Sequence, residues 1–243
     1  MTAWGLSDAG QVRPENQDAF LIEKITDHCL LAAVCDGMGG ARAGNVASKM
    51  ALDVFSGEIR RAFKPSMSAE KIAVMLQSAA DLSNKAVFEQ GNSDEEYSGM
   101  GTTLVAALFA GGRAHIINVG DSRAYHVQDS GITRITTDHS FVQMMVERGD
   151  ITQAEAIHHP GKNLITRAIG TEETVQSDVF CIPFGKNDNL LLCTDGLSNI
   201  VAEQEILFEI IHGNEKSDCC RRLLEIAQKR GAPDNVTVLL VAE

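Results

Sequence analysis

The sequence predicts an α+β domain in which mostly antiparallel β-sheets pack against each other and pairs of helices lie outside them. Amphipathic helices occur as consecutive pairs between blocks of strands, which is typical of sheets covered by helices. Hairpin-sized gaps separate the strands of the central block, which indicates antiparallel pairing. The chain has 243 residues, is 44% hydrophobic and contains no Gly-, Ser- or Pro-rich linker. We therefore expect one large domain over residues 1–243.

The first half of the chain contains strands at 2–7 and 18–24 around a polar loop, and then an apolar run that ends at Asp36. Apolar residues at helical spacing next predict two long amphipathic helices. The first helix is indicated by Val46, Met50, Val54, Phe55, Ile59 and Phe63, and the second by Ile72, Leu76, Ala79, Leu82 and Ala86. A polar stretch from 90 to 98 leads to the next strands.

The second half is predicted to begin with strands near 102–109, 113–119 and 122–128, with a further candidate at 132–135. The pattern over 141–168 is irregular and partly helical. The predicted elements that follow are strands near 177–182 and 189–193, helices at about 203–212 and 216–230, and a closing strand at 236–241.

Four aspartates lie where a predicted strand meets a loop. Asp36 and Asp195 each end an apolar run and precede a glycine, Asp121 follows the run 116–120, and Asp234 precedes the closing strand. Clustered buried carboxylates repel one another unless they are paired or bind a metal. All the candidate ligands are oxygen donors, which favours Mg²⁺ or Mn²⁺ over zinc or copper. The simpler alternative is that each aspartate only starts a turn.

Composition excludes several classes of function. The chain has 33 acidic and 21 basic residues and a formal net charge of -12, which argues against a nucleic-acid or anionic-membrane partner. It shows no signal peptide and no segment of transmembrane length, so we expect a cytoplasmic protein. The six cysteines lack zinc spacing, and Cys35 and Cys193 are expected to be small buried hydrophobic residues. The spacing of a cysteine phosphatase or a P-loop is absent, since no cysteine has an arginine six positions on and both Gly-Lys pairs precede Asn.

Eight motifs occur in one order along the chain. They are Arg-Pro-Glu-Asn-Gln-Asp at 13–18, Asp-Gly-Met-Gly-Gly at 36–40, Gly-Met-Gly-Thr-Thr at 99–103, Gly-Asp-Ser-Arg at 120–123, Asp-His-Ser at 138–140, Asn-Leu-Ile-Thr-Arg at 163–167, Thr-Asp-Gly-Leu at 194–197 and Pro-Asp-Asn at 233–235. Together they resemble bacterial PP2C-type (PPM) protein phosphatases, and the resemblance extends from about residue 5 to 241. It implies a four-layer α-β-β-α sandwich and a metal-dependent serine/threonine protein phosphatase.

The resemblance also implies roles for individual residues. Two ions would share and activate a water for attack on phosphorus. Asp36 would bridge the two ions and the Gly37 carbonyl would complete the second ion's site. Asp195 and Asp234 would hold the first ion, and Asp18 would act through metal-bound water. Asp121, with Asp195, resembles the ligands of a third, weaker ion. Arg13 is our candidate for binding the substrate phosphate, because its planar guanidinium suits bidentate contact with phosphate oxygens.

Several alternatives stay open at this level. His139 could be a proton donor or could cap a helix. Segment 141–168 corresponds to the family's mobile flap, which would affect substrate choice. Many relatives have His at the position of Ala41, which Arg42 follows here, so the group that protonates the leaving oxygen is open. We expect a monomer whose partners are phosphorylated proteins, including a serine/threonine kinase and its targets. The other class of function is a catalytically silent interaction or sensing module.

Overall fold

The computed structural model describes residues 1–40, 43–93 and 95–243. Its strands are β1 (Thr2–Asp8), β2 (Asp18–Thr26), β3 (Cys29–Met38), β4 (Gly101–Thr102), β5 (Leu104–Ala110), β6 (Arg113–Val119), β7 (Arg123–Gln128), β8 (Gly131–Arg134), β9 (Asp178–Pro183), β10 (Asn189–Cys193) and β11 (Val236–Ala242). Its helices are α1 (Ala43–Ala62), α2 (Ala69–Ser93), α3 (Phe141–Arg148), α4 (Gln153–His158), α5 (Asp195–Ser198), α6 (Glu203–Ile211) and α7 (Cys219–Lys229).

The strands form two antiparallel sheets. The first sheet has the order β1-β11-β10-β7-β8, and the second has the order β2-β3-β5-β6-β9 with β4 paired to β3. Residues that are successive along a strand point to opposite faces. On β3, Leu31 and Ala33 belong to one buried cluster, whereas Ala32 and Val34 belong to another. Both faces of this strand are therefore buried, which explains why its sequence is a continuous apolar run rather than an alternating one.

Three apolar clusters separate the four layers. The middle cluster joins the sheets and includes Val34, Val105, Leu192 and Val241. An outer cluster packs α1 and α2 on the second sheet through residues such as Phe55. The other outer cluster packs α6 and α7 on the first sheet, with members that include Ile206, Ile210, Leu223 and Leu240. The predicted sandwich with flanking helix pairs is confirmed.

Within the described residues, three differences from the sequence prediction concern strands and helices near the site or the end of the chain, and a fourth is that α2 extends to Ser93, into the predicted polar stretch 90–98. The predicted strand 102–109 is two strands, because Thr103 interrupts it between β4 and β5. The predicted helix 216–230 begins with a 3₁₀ turn at Lys216–Asp218 before α7. The short helix α5 was not predicted, since four residues are too few for a helical period to be recognised. As predicted, segment 141–168 is irregular and partly helical, and Cys35 and Cys193 are buried and free.

No helix within the described residues combines the length and the apolar character that crossing a membrane requires.

Candidate metal and active site

The predicted site residues, apart from Asp18, line one cleft of about 640 Å³ at the end of the sandwich. Asp36, Gly37, Asp121, Asp195, Asp234 and Arg13 all line it. Segment 141–168 reaches the same cleft through Asn163 and Ile165. These residues come from distant parts of the chain, so the fold brings the separate motifs together.

Asp36 and Gly37 lie near the end of β3, where neighbouring threonines fix the backbone. Thr103 Oγ1 accepts a hydrogen bond from the Asp36 N–H at 2.9 Å, and Thr102 Oγ1 donates to the Asp36 carbonyl at 2.8 Å. At Gly37, a Cβ atom would lie 2.1 Å from the Gly44 carbonyl oxygen. Any side chain at position 37 would therefore displace the start of α1, which explains the need for glycine.

Asp18 begins β2 directly opposite Asp36 in the register of β2 and β3. Its side chain is 6% exposed, and its Oδ2 accepts hydrogen bonds from Thr194 Oγ1 at 2.9 Å and Thr237 Oγ1 at 2.7 Å. Its Oδ1 is buried and has no hydrogen-bond partner. A buried carboxylate oxygen without a partner is costly, and a cation or its water would satisfy it.

Asp121 lies in the tight loop between β6 and β7, which two side-chain contacts hold. The hydroxyl of Ser122 is 2.7 Å from that of Thr103. Arg123 donates a bidentate pair of hydrogen bonds to Asp138, the shorter from Nη2 at 2.7 Å. Such fork-to-fork geometry fixes orientation as well as distance. The same threonine therefore supports both Asp36 and the Asp121 loop.

Asp195 begins α5, and Asp234 lies in the loop before β11. Asp195 accepts a hydrogen bond from Asn199 Nδ2 at 3.0 Å, and Asp234 accepts one from Arg13 Nη2 at 2.8 Å. The Arg13 side chain is 55% exposed. Ion pairs at this level of exposure contribute only about 0–1 kcal/mol. Breaking the ion pair between Arg13 and Asp234 would therefore cost little free energy.

The electrostatics of the cleft favour cations. Burial raises the pKa of Asp36 well above its ordinary value, and the charges of Asp18 and Asp195 raise it further. Burial and the charge of Asp195 also raise the pKa of Asp121 to about 8. Burial raises the pKa of Asp195, with a further contribution from Asp234. Each carboxylate thus resists ionisation beside the others, and a bound divalent cation would remove that repulsion.

The donor set therefore fits Mg²⁺ or Mn²⁺, since it consists of carboxylate and carbonyl oxygens. Within the described residues, no group of three or more His, Cys, Asp or Glu side chains is arranged closely enough to hold a metal ion as it stands. Asp234 faces Arg13 instead. Side chains would have to turn toward a cation as it binds.

His139 does not line the cleft, so its geometry does not support a role as proton donor. Its Nδ1 accepts a hydrogen bond from the Gly120 N–H at 3.1 Å, and its Nε2 lies 3.1 Å from both Asp178 Oδ2 and Arg167 Nη1. Because an amide N–H can only donate, Nδ1 must be unprotonated, and Nε2 carries the proton toward Asp178. Burial lowers the pKa of the imidazole. The helix cap is Ser140, which accepts from Gln143 N.

Some residues of the site were not assigned a role from the sequence. Thr102, Thr103, Thr194 and Thr237 fix the aspartates through their hydroxyl groups. The sequence pattern that could have identified these threonines is a polar residue within or at the end of a buried apolar run. Asn235, which is 5% exposed, was noted only as part of a turn. Ala41 and Arg42, where the chain departs from its relatives, lie outside the described residues.

Comparison with known proteins agrees with this geometry. The family described as protein phosphatase 2C matches residues 11–236. The chain belongs to the protein phosphatase 2C family. The serine/threonine phosphatase stp of Listeria monocytogenes is 40% identical to it over 97% of this chain and 93% of that protein. The predicted family is thereby confirmed.

Two solved structures of protein phosphatases resemble this PP2C chain closely. The serine/threonine phosphatase Stp1 from Staphylococcus aureus superimposes with a TM-score of 0.93 at 36% identity, covering 99% of this chain and 94% of that one. The catalytic domain of the serine/threonine protein phosphatase PstP, in complex with two manganese ions, gives a TM-score of 0.85 at 35% identity over 98% and 96% of the two chains.

Proposed function

We propose that this PP2C phosphatase hydrolyses phosphoserine and phosphothreonine in proteins and uses two divalent cations, Mg²⁺ or Mn²⁺, to do so. The observation that carries the proposal is the convergence of four aspartates and one arginine at a single cleft, where the charge of the buried Asp18 adds to the mutual repulsion. The relatives named serine/threonine phosphatases, one of them solved with two manganese ions, support it. The silent-module alternative is not favoured, because Asp36, Asp121, Asp195 and Asp234 are all present.

The chain's own residues would share the work as follows. Asp36 and the Gly37 carbonyl, with Asp195 and Asp234, would hold the two cations. Asp18 would contribute from behind them through water. When bound, the cations would lower the pKa of a water molecule and neutralise charge on the phosphoryl oxygens.

The substrate and a further cation would use two other side chains. Arg13 would leave Asp234 and bind the phosphate, which orients it for in-line attack. Asp121, with Asp195, would hold a third and weaker cation. The protein needs no nucleophile of its own.

The same proposal extends to organisation and partners. Residues 1–243 form one phosphatase domain in which segment 141–168 acts as a flap, supported by the contribution of Asn163 and Ile165 to the cleft. The enzyme acts in the cytoplasm as a monomer. Its substrates are a serine/threonine kinase and the targets of that kinase. The net charge of -12 favours neither nucleic acid nor an anionic membrane as a partner.

Phosphate release from p-nitrophenyl phosphate and from phosphothreonine peptides tests the proposal. Turnover is expected with Mg²⁺ or Mn²⁺ and should be lost with EDTA. The Asp36→Asn variant serves as the matched control for contaminating phosphatases. Absence of turnover in the wild-type protein at saturating Mn²⁺ would instead favour the silent module.

A further inference from the structure

The loop that carries Arg13 is exposed, yet its position must be defined if Arg13 is to meet a phosphate in the cleft. The loop spans residues 9–17 between β1 and β2. Val12 at its tip is 68% exposed. Polar side chains on an exposed loop are otherwise free to move, so accurate placement of Arg13 requires contacts from the body of the protein.

Asn235 supplies those contacts with its side-chain amide. Its Oδ1 accepts a hydrogen bond from the Gln17 N–H at 2.8 Å. Its Nδ2 donates to the Ala9 carbonyl at 2.8 Å and to the Glu15 carbonyl at 2.9 Å. Both amide hydrogens are therefore used, and the three backbone partners lie at the two ends of the loop.

The backbone of Asn235 is held in a closely packed part of the protein at the start of β11, which serves here as the base for the loop. It directly precedes β11, and a Cβ atom on Gly196 would come within 1.9 Å of its carbonyl oxygen. The loop approaches this base closely, because a Cβ on Gly10 would lie 2.2 Å from the Asp234 carbonyl. Gly10 also has φ +75, in the left-handed region that favours glycine.

We propose that Asn235 is the positioning residue that sets where Arg13 meets the substrate phosphate. This inference rests on the proposed function and adds to it a residue whose side-chain amide donates both of its hydrogens to the loop. Without the amide, the ends of the loop lose three hydrogen bonds and Arg13 samples more positions. The loss should appear in substrate binding, because an arginine that contacts phosphate in both ground and transition states provides uniform binding.

Asn189 offers a matched control. It is fully buried, its Nδ2 donates to the Val127 and Asn187 carbonyls, and its Oδ1 accepts from Lys216 Nζ. It thus resembles Asn235 in chemistry and burial but does not line the cleft. With a phosphothreonine peptide and saturating Mn²⁺, Asn235→Ala should raise KM about tenfold and leave kcat within about twofold. Asn189→Ala should leave KM unchanged even if it lowers stability.

A double-mutant cycle tests whether Asn235 acts through Arg13. If it does, the Arg13→Ala, Asn235→Ala double variant should have the same KM as Arg13→Ala alone. Multiplied increases in KM would overturn the inference. If Asn235→Ala is too unstable to assay, Asn235→Asp takes its place, since it keeps the acceptor for Gln17 and loses both donors.

Two further measurements do not depend on turnover. A glutamate-specific protease should cut after Glu15 faster in Asn235→Ala than in the wild type, whereas Asn189→Ala should be cut at the wild-type rate. Calorimetric Mn²⁺ affinity should stay unchanged. Weaker Mn²⁺ binding with an unchanged KM would mean that Asn235 supports the metal ligand Asp234 rather than Arg13. That result would overturn the inference. If the wild type turns over but Asn235→Ala matches it, this inference alone fails, whereas a wild type without turnover refutes the proposed function as well.

Discussion

Asp18 should make the metal-free protein less stable as the pH rises. Burial, partly offset by the hydroxyls of Thr237 and Thr194, raises the pKa of this carboxyl from 3.8 to about 7. Between these two values the folded chain keeps a proton that the unfolded chain has lost. The free energy of unfolding therefore falls as the pH rises through this window. Each pH unit of this difference is worth about 1.36 kcal/mol. Because the folded carboxyl itself ionises at about pH 7, only about two units between about pH 5 and about pH 8 count, and the loss is about 3 kcal/mol.

Urea unfolding in EDTA across this pH range, for wild type and Asp18→Asn, measures the effect. The asparagine keeps an oxygen for the two threonine hydroxyls but cannot ionise, so the variant should lose less stability toward high pH than the wild type, by about 3 kcal/mol. In saturating Mn²⁺ the wild-type trend should disappear, because cation binding keeps the carboxylates deprotonated in the folded protein, as they are in the unfolded chain. Parallel pH profiles for the two proteins in EDTA would refute the reasoning.

Three other predictions concern the cleft. Asp36→Asn or Asp195→Asn should lower kcat by about a thousandfold or more. The metal-free variants should be no less stable than the wild type in urea, because the substitution removes repulsion between carboxylates. Turnover near the wild-type rate at saturating Mn²⁺ would contradict this prediction. Asp121→Ala should chiefly lower kcat or raise the Mn²⁺ requirement in steady-state assays, and a loss confined to KM would count against its assigned role. Thr103→Val should destabilise the protein by about 1–3 kcal/mol because it leaves the Asp36 N–H without its acceptor, whereas Thr103→Ser should retain most of the stability; equal losses would be inconsistent with the hydrogen bond.

The sequence predicted the layers and the aspartates because both depend on local patterns. Continuous apolar runs mark strands that are buried on both faces, and Asp36 and Asp195 stand at the ends of such runs. Thr103 was missed as a break in the strand, since a single polar β-branched residue does not disturb the apolar pattern. The hydrogen bond between Thr103 and Asp36 depends on the pairing of two segments that are distant in the sequence, and no local pattern encodes that pairing.

His139 is a case in which the sequence suggested a role that the contacts in the structure do not support. Its place beside Asp138 in a motif made a proton donor plausible, yet the structure directs both of its ring nitrogens to Gly120 and Asp178. Which partner a side chain meets is decided by tertiary packing. The roles of Arg13, the five aspartates and Gly37 stay predictions until the variants are measured.

The hydrogen bonds of Asp18 have a mechanical consequence. Asp18 belongs to β2 in the second sheet, while Thr237 belongs to β11 in the first sheet and Thr194 follows β10. One carboxylate thus crosses the interface between the sheets at the end where cations would bind. A force that slides one sheet over the other must break this link before the apolar interface yields. In single-molecule pulling, Mn²⁺ should raise the rupture force more when handles are attached to β2 and β11 than when both are on the first sheet.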